Sequence, residues 1–178
     1  MTKYKKPQKS ARLLFAEGRE DRAWFNALVA MYGESGGAYS LVIDQGNGGS
    51  ADGIVASAVK KQVFLGRIYD QILVVVDGDK PEDELQRAKA LAVKNGLELI
   101  IIPPCMEAMQ LNILEPNKGW YKKTSGHKHY FEANYVNDGK RNQAVHYTKI
   151  LTKAKVDIAL ENKSDPLLEV IIGFIAGK

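Results

Sequence analysis

The run Ile72-Leu73-Val74-Val75-Val76 is the most constraining feature of the chain. A strand with one wet face alternates apolar and polar residues; this run does not, so both of its faces must be covered. Ala11–Ala16 has the same two-sided character, and Tyr39–Ile43 and Leu97–Ile102 supply two more short strands. Helical segments fall between them. One runs from about Asp21 to Tyr32, with Trp24, Leu28 and Met31 on one stripe and Phe25, Val29 and Tyr32 beside it, and is broken by Gly33, Gly36 and Gly37. A second runs from Ala51 to about Val63, with Ser50 as its cap. A third has Pro81 in its first turn, acids at its start and Asn95-Gly96 at its end. A fourth runs from near Cys105 to Leu114, after Pro103-Pro104. Strand–helix alternation with short connections predicts an α/β fold, a four-stranded, mainly parallel sheet with helices on both faces. Right-handed crossovers then bring every strand C-terminus to one edge.

Three segments are expected: a basic flexible arm over 1–10, carrying Lys3, Lys5, Lys6 and Lys9; an α/β core over 11–114; and a segment over 115–178 packed on that core. In the last of these, Pro116–Gly139 is polar, basic and aromatic. A helix is expected over about Asn142–Leu160 and another after Asp165, with Pro166 in its first turn. That final helix is apolar nearly all round, so it should be buried against the domain or against a second copy, as in a homodimer.

The formal net charge is +4, which fits a polyanionic partner without requiring one. A lone cysteine, Cys105, excludes an intramolecular disulfide and suits a reducing compartment. Neither a signal peptide nor an apolar run of membrane-spanning length is readable, so a cytoplasmic protein with no membrane partner is expected.

Glu17, Asp77 and Asp79 each follow a strand at the common edge. Asp77 and Asp79 are two residues apart, a strand period that points them to one side. Carboxylates brought together repel unless a cation lies between them, and Mg²⁺ or Mn²⁺ suits an all-oxygen set that keeps positions for water and phosphate oxygens. Asp-Gly-Asp alone is common in turns; its order and topology relative to Glu17 favour the metal reading.

Leu13-Leu14-Phe15-Ala16-Glu17-Gly18 resembles the opening motif of the Toprim fold, and Val74-Val75-Val76-Asp77-Gly78-Asp79 its Asp-x-Asp motif. Within that fold the similarity is to the RloB-like and OLD-type nuclease group, whose Pro-Cys-x-Glu segment is matched by Pro104-Cys105-Met106-Glu107. The similarity covers about Ala11–Leu114. It departs after Glu107, where Ala108-Met109-Gln110-Leu111 replaces the usual aromatic-aliphatic residues, which leaves open a degenerate or specialised member. The resemblance implies a Rossmann-like core and a metal-dependent nuclease, in defence or on a mobile element. It implies Asp77 and Asp79 as metal ligands, Glu17 as ligand or general acid/base, and Glu107 as an accessory acid or a structural hydrogen-bond acceptor.

Other features each carry two readings. Gly46–Ser50, with Gly48, Gly49 and Ser50, either cradles a phosphate or connects strand to helix; it lacks the Lys-Ser/Thr ending of a nucleotide loop. Arg19 and Lys80 either hold substrate phosphates or offset neighbouring acids. Trp120, Tyr121, Lys122 and Lys123, with Lys128 further on, either bind single-stranded DNA or RNA or form a loop or hairpin tucking aromatics into the core. His127-x-His129 lacks further ligands, and Cys105 reads as a packing residue. The function expected first is phosphodiester hydrolysis of DNA or RNA. A nucleic-acid-binding or regulatory module without catalysis comes second. A phosphoacceptor receiver comes last, for want of the acidic pair and fifth-strand lysine.

Overall fold

β1 (Ser10–Ala16) pairs in parallel on both sides, with β2 (Tyr39–Gln45) and with β3 (Gln71–Asp77), and β3 pairs in parallel with β4 (Glu98–Ile102). The order is β2-β1-β3-β4. The chain leaves β1 for one side of the sheet and returns to its other side, so strand order reverses between β1 and β3. In open α/β sheets the crevice at such a reversal is where ligands bind. The fold is therefore the parallel α/β sheet read from the sequence. The computed structural model describes residues 10–33, 39–64, 69–116, 118, 123–136 and 139–177. Lys3, Lys5, Lys6, Lys9, Trp120, Tyr121 and Lys122 lie outside those residues.

The lack of alternation in the strands has its expected cause. Leu13, Phe15, Ile72, Val74 and Val76 face one apolar layer, while Leu14, Leu73, Val75, Ile100 and Ile102 face the other. The first layer is closed by α2 (Ala51–Phe64) and α3 (Glu82–Lys94). Ala51, Ile54, Val55 and Ala58 recur at the 3.6-residue period and are all buried, as are Leu85, Ala88 and Ala92. The second layer is closed by α1 (Arg19–Tyr32), through Trp24, Phe25, Ala27 and Leu28, and by α4 (Met106–Leu114).

Four further helices extend this second layer: α5 (Thr124–Tyr135), α6 (Ala144–Ile150), α7 (Lys153–Glu161) and α8 (Pro166–Ala176). Two expectations are corrected here. Much of the polar, aromatic stretch after Pro116 is the helix α5, neither loop nor hairpin; its weak intrinsic pattern is overridden by burial of His127 and Phe131. The helix expected over 142–160 is two helices. Thr152 caps the second, its Oγ1 accepting from the Lys155 N–H at 3.4 Å. The break has a packing reason. Tyr147 and Leu151 are one turn apart and both buried, as are Val156 and Ala159. Val156 is five positions after Leu151, so a continuous helix would aim the two pairs in different directions.

The last helix buries Leu168, Ile171, Ile172, Phe174 and Ile175 within its own chain. Its final carbonyls are satisfied from the sheet: Tyr39 donates to the Ile175 carbonyl at 2.6 Å, and Arg12 Nη1 to that of Phe174 at 3.3 Å. Gly177 caps it at φ 78°, where a Cβ would strike the Tyr39 ring. Among the described residues no helix is long and apolar enough to cross a membrane.

Candidate active site

Glu17 follows β1, and Asp77 ends β3, the strand beside it. The two carboxylates are therefore neighbours across the reversal point. Glu17 Oε2 stands 3.5 Å from the backbone nitrogen of Asp77. Asp77 Oδ1 accepts the N–H of Met106 at 2.8 Å, the first residue of α4. A helix N-terminus is a favourable place for that negative charge. This bond fixes the start of α4 against β3 and brings Glu107, the next residue, to the same place.

A cavity of about 370 Å³ opens here, lined by Glu17, Arg19, Asp21, Asp77 and Glu107, with Gly48 and Asn142 at its rim. With Glu20, which also lines it, five carboxylates share one concavity. Asp21 was not singled out from the sequence. It sits in the first turn of α1, four residues after Glu17, and its Oδ2 accepts the Gly18 N–H at 3.0 Å. Acids four apart across a strand–helix junction are a signal that could have revealed it, but a capping role explains the same spacing.

The electrostatics of the set are those of excess negative charge. Burial pushes the Asp77 carboxyl up to about 6; the Met106 N–H works against this, and Glu107 and Glu17 add to it. Burial pushes Asp21 up to about 8, reinforced by Asp77, Glu17 and Glu107 and opposed by the Gly18 N–H. Burial also raises Glu20, which Arg141 partly offsets from 3.1 Å. Glu107 Oε2 is buried and accepts no hydrogen bond. Such an oxygen costs free energy unless a proton or cation meets it.

Two lysines answer part of this charge. Lys80 Nζ lies 2.6 Å from Glu17 Oε1 and 3.0 Å from the Gly49 carbonyl. Lys128 Nζ, from α5, lies 3.1 Å from Asp79 Oδ2 and 3.5 Å from Asp77 Oδ2. Partial burial disfavours charge on Lys128, but its bond to Asp79 and the nearby charges of Glu107, Asp77 and Asp79 outweigh that, so its pKa is raised. Asp79 lies in the turn after β3, where the strand period no longer applies. It reaches Asp77 through their shared lysine and does not line the cavity.

The glycine-rich loop packs its backbone on the end of β1. Gly46 N–H donates to the Ala16 carbonyl at 3.0 Å and Gly48 N–H to that of Glu17 at 3.1 Å. Gly48 and Gly49 have φ of 71° and 112°, values that suit glycine. At the start of α2 the Ala51 N–H is taken by Glu84 at 3.2 Å and the Gly53 N–H by Ser50 Oγ at 3.2 Å. Ser50 therefore acts as the cap expected of it. Arg19 is exposed and makes no hydrogen bond or ion pair among the described residues.

Lys123 is exposed just before α5. His127 and His129 are parted by α5: two residues on a helix point about 200° apart, so one is buried and the other exposed. Cys105 is fully buried, and burial, with Glu107 next, drives its thiol pKa up, so it serves packing.

A hard cation fits this donor set by chemistry and charge. The donors are all oxygens, and the unbonded Glu107 oxygen marks a deficit of positive charge. As the side chains stand, no three acids, histidines or cysteines among the described residues converge at ligand spacing. Glu17 and Asp77 are turned toward the lysines and the α4 amide. No family model, no curated protein and no solved structure matches this chain.

Proposed function

We propose that the chain is a metal-dependent phosphodiesterase acting on DNA or RNA, a nuclease of Toprim, RloB-like type. The observation that carries this reading is the convergence of Glu17, Asp21, Asp77 and Glu107 on one cavity at the strand-order reversal, with a buried Glu107 oxygen left unbonded. Asp77 and Glu107, with Glu17 once Lys80 withdraws, would hold Mg²⁺ or Mn²⁺. The ion would stabilise charge on the phosphoryl group and supply an ionised water.

The protein's own residues account for the rest. Arg19, at the cavity mouth and without a carboxylate partner among the described residues, orients a substrate phosphate by charge-assisted hydrogen bonds. Lys80 and Lys128 hold the carboxylates apart from one another before substrate arrives. The Met106 amide keeps Asp77 in its rotamer. The lone buried Cys105 accords with a cytoplasmic setting.

The test is cleavage of single- and double-stranded DNA and RNA with Mg²⁺ or Mn²⁺. Asp77→Asn and Glu17→Gln should each lower the rate on the order of 100-fold or more, with unfolding curves that remain cooperative. Full activity in both variants rejects the reading.

A second reading is favoured by one observation. Lys80 already pairs with Glu17, and Lys128 bridges Asp77 and Asp79. On that basis the chain is a nucleic-acid-binding or regulatory module with lysines in place of the metal. It predicts salt-sensitive binding and no metal-stimulated cleavage.

A further inference from the structure

A second and larger cavity, about 1170 Å³, lies beside the acidic one and shares Arg19 and Gly48 with it. It lies at the C-terminal end of β2, an outer strand of the sheet. Asp44 and Gln45, at the end of β2, form part of its floor, and β2 pairs only with β1 among the described strands. Arg19 and Arg22 of α1 stand on one side, and Lys60 and Lys61 of α2 on the other.

The charge balance of this groove is opposite to that of its neighbour. Its acid, Asp44, is bound to Lys61 at 2.8 Å, so that pair is neutral together. Arg19, Arg22 and Lys60 are exposed, and none makes a side-chain hydrogen bond or ion pair among the described residues. Arg19 and Arg22 are three apart on one helix and so lie on one face. Three unspent cations line a groove that shares Arg19 with the cavity of five carboxylates. A polyanion would be drawn along the first and stopped at the second, unless a cation there receives it.

We infer that this groove carries the phosphodiester backbone of a single-stranded nucleic acid, with Arg22 and Lys60 gripping phosphates and Arg19 passing the strand to the carboxylates. The inference rests on the nuclease reading and names its substrate track. A single strand is specified because the cations stand on α1 and α2 to either side of the end of β2, where one backbone passing between them meets both sets. The groove's one aromatic among the described residues, Phe15, is fully buried. With no exposed ring among the described residues that line it, recognition is by phosphate, and binding should be insensitive to sequence and steep in salt.

The experiment measures fluorescence anisotropy of a labelled 12-nucleotide oligothymidylate and its oligouridylate counterpart, in chelator so that nothing is cut, on the full chain. Wild type should bind at low salt. Arg22→Ala/Lys60→Ala should weaken binding at least about 10-fold and flatten the slope of log affinity against log salt by about 1.4, the share of two phosphate contacts at roughly 0.7 each. Lys89→Ala/Lys94→Ala, which removes the same charge from α3, should change affinity less than about 2-fold. Thermal unfolding of each variant checks that the fold is kept.

The inference is overturned if wild type binds neither strand, if the α1/α2 variant binds as wild type does, if the α3 variant loses as much, or if a duplex of equal length binds more tightly. The two readings fail separately. Loss of binding in Arg22→Ala/Lys60→Ala without any metal-stimulated cutting by wild type keeps the groove and rejects the nuclease. Cutting by wild type with binding unchanged in that variant keeps the nuclease and rejects the groove.

Discussion

Lys80 places its ammonium 2.6 Å from Glu17 Oε1, the closest charge contact of the acidic cavity. Both side chains are about four-fifths buried, at 19% and 18% exposure. In that setting removal of one partner leaves the other charged and poorly solvated. Lys80→Met should therefore lower stability in chelator by roughly 1–3 kcal/mol. It should also tighten Mn²⁺ binding, because the ion no longer competes with an internal cation. Calorimetric titration with Mn²⁺ and urea unfolding in chelator measure the two effects. Weaker Mn²⁺ binding would show that Lys80 supports the site and does not compete for it.

Stability without metal should fall as pH rises. Asp21 and Asp77 keep their protons in the folded state to about 8 and about 6, against an ordinary 3.8. Between those values the folded chain binds more protons than the unfolded chain, so the unfolding free energy has a negative slope in pH. The contribution of these two groups is full below about pH 4 and is lost as pH climbs through 6 and then 8. Asp21→Asn keeps an oxygen for the Gly18 N–H and removes the upper part of that loss. It should be more stable than wild type at pH 8.5 by on the order of 2 kcal/mol and nearly equal to it at pH 4. Urea unfolding across pH in chelator gives both numbers.

Glu107→Gln separates a cation-binding acid from a hydrogen-bond acceptor. The buried Oε2 has no donor to lose, so stability in chelator should rise or hold as the charge disappears. Stabilisation by saturating Mn²⁺, read as a Tm shift, should shrink by more than half. An undiminished shift would place the ion away from Glu107.

Gly78 makes the turn from Asp77 to Asp79 against the end of β4. A Cβ there would lie 3.0 Å from the Ile102 carbonyl and 3.2 Å from Pro103 Cα, both backbone atoms. Gly78→Ala must push the turn off β4 and strain the 2.9 Å bond from the Gly78 N–H to that carbonyl. A loss of about 1–3 kcal/mol is expected, measurable by thermal unfolding, together with a weaker Lys128 link to Asp79.

The sheet was legible because its strands are short continuous apolar runs ended by turn residues: Leu13 and Leu14, or Val74 and Val75, are adjacent and face opposite layers. Glu17 and Asp77 followed from strand ends alone. The C-terminal third was harder. In α5 the intrinsic signals are poor, with Gly126 in its first turn and no side-chain cap, and only tertiary burial of Phe131 selects the helix. Thr152 did carry a cap signal, but Ala154 and Ile158 continue the apolar stripe of Tyr147 and Leu151 and hide the break, although Ile158 is exposed in the fold. At the site, Asp21 reads locally as a helix-start acid; its membership of the carboxylate set depends on the packing of α1 against the sheet. Asp79 was placed by extending a strand period one turn past the strand.

Lys128 belongs to α5, not to the sheet that carries the acids it binds. The charge balance around Asp77 therefore depends on where that helix sits. Whatever lifts it from α4, whether a ligand, a partner or a substitution at Phe131, subtracts one positive charge from the neighbourhood of Asp77 and leaves every strand in place. The charge that the acids at the end of β3 present is thereby tied to the docking of a helix whose own sequence barely holds it in shape.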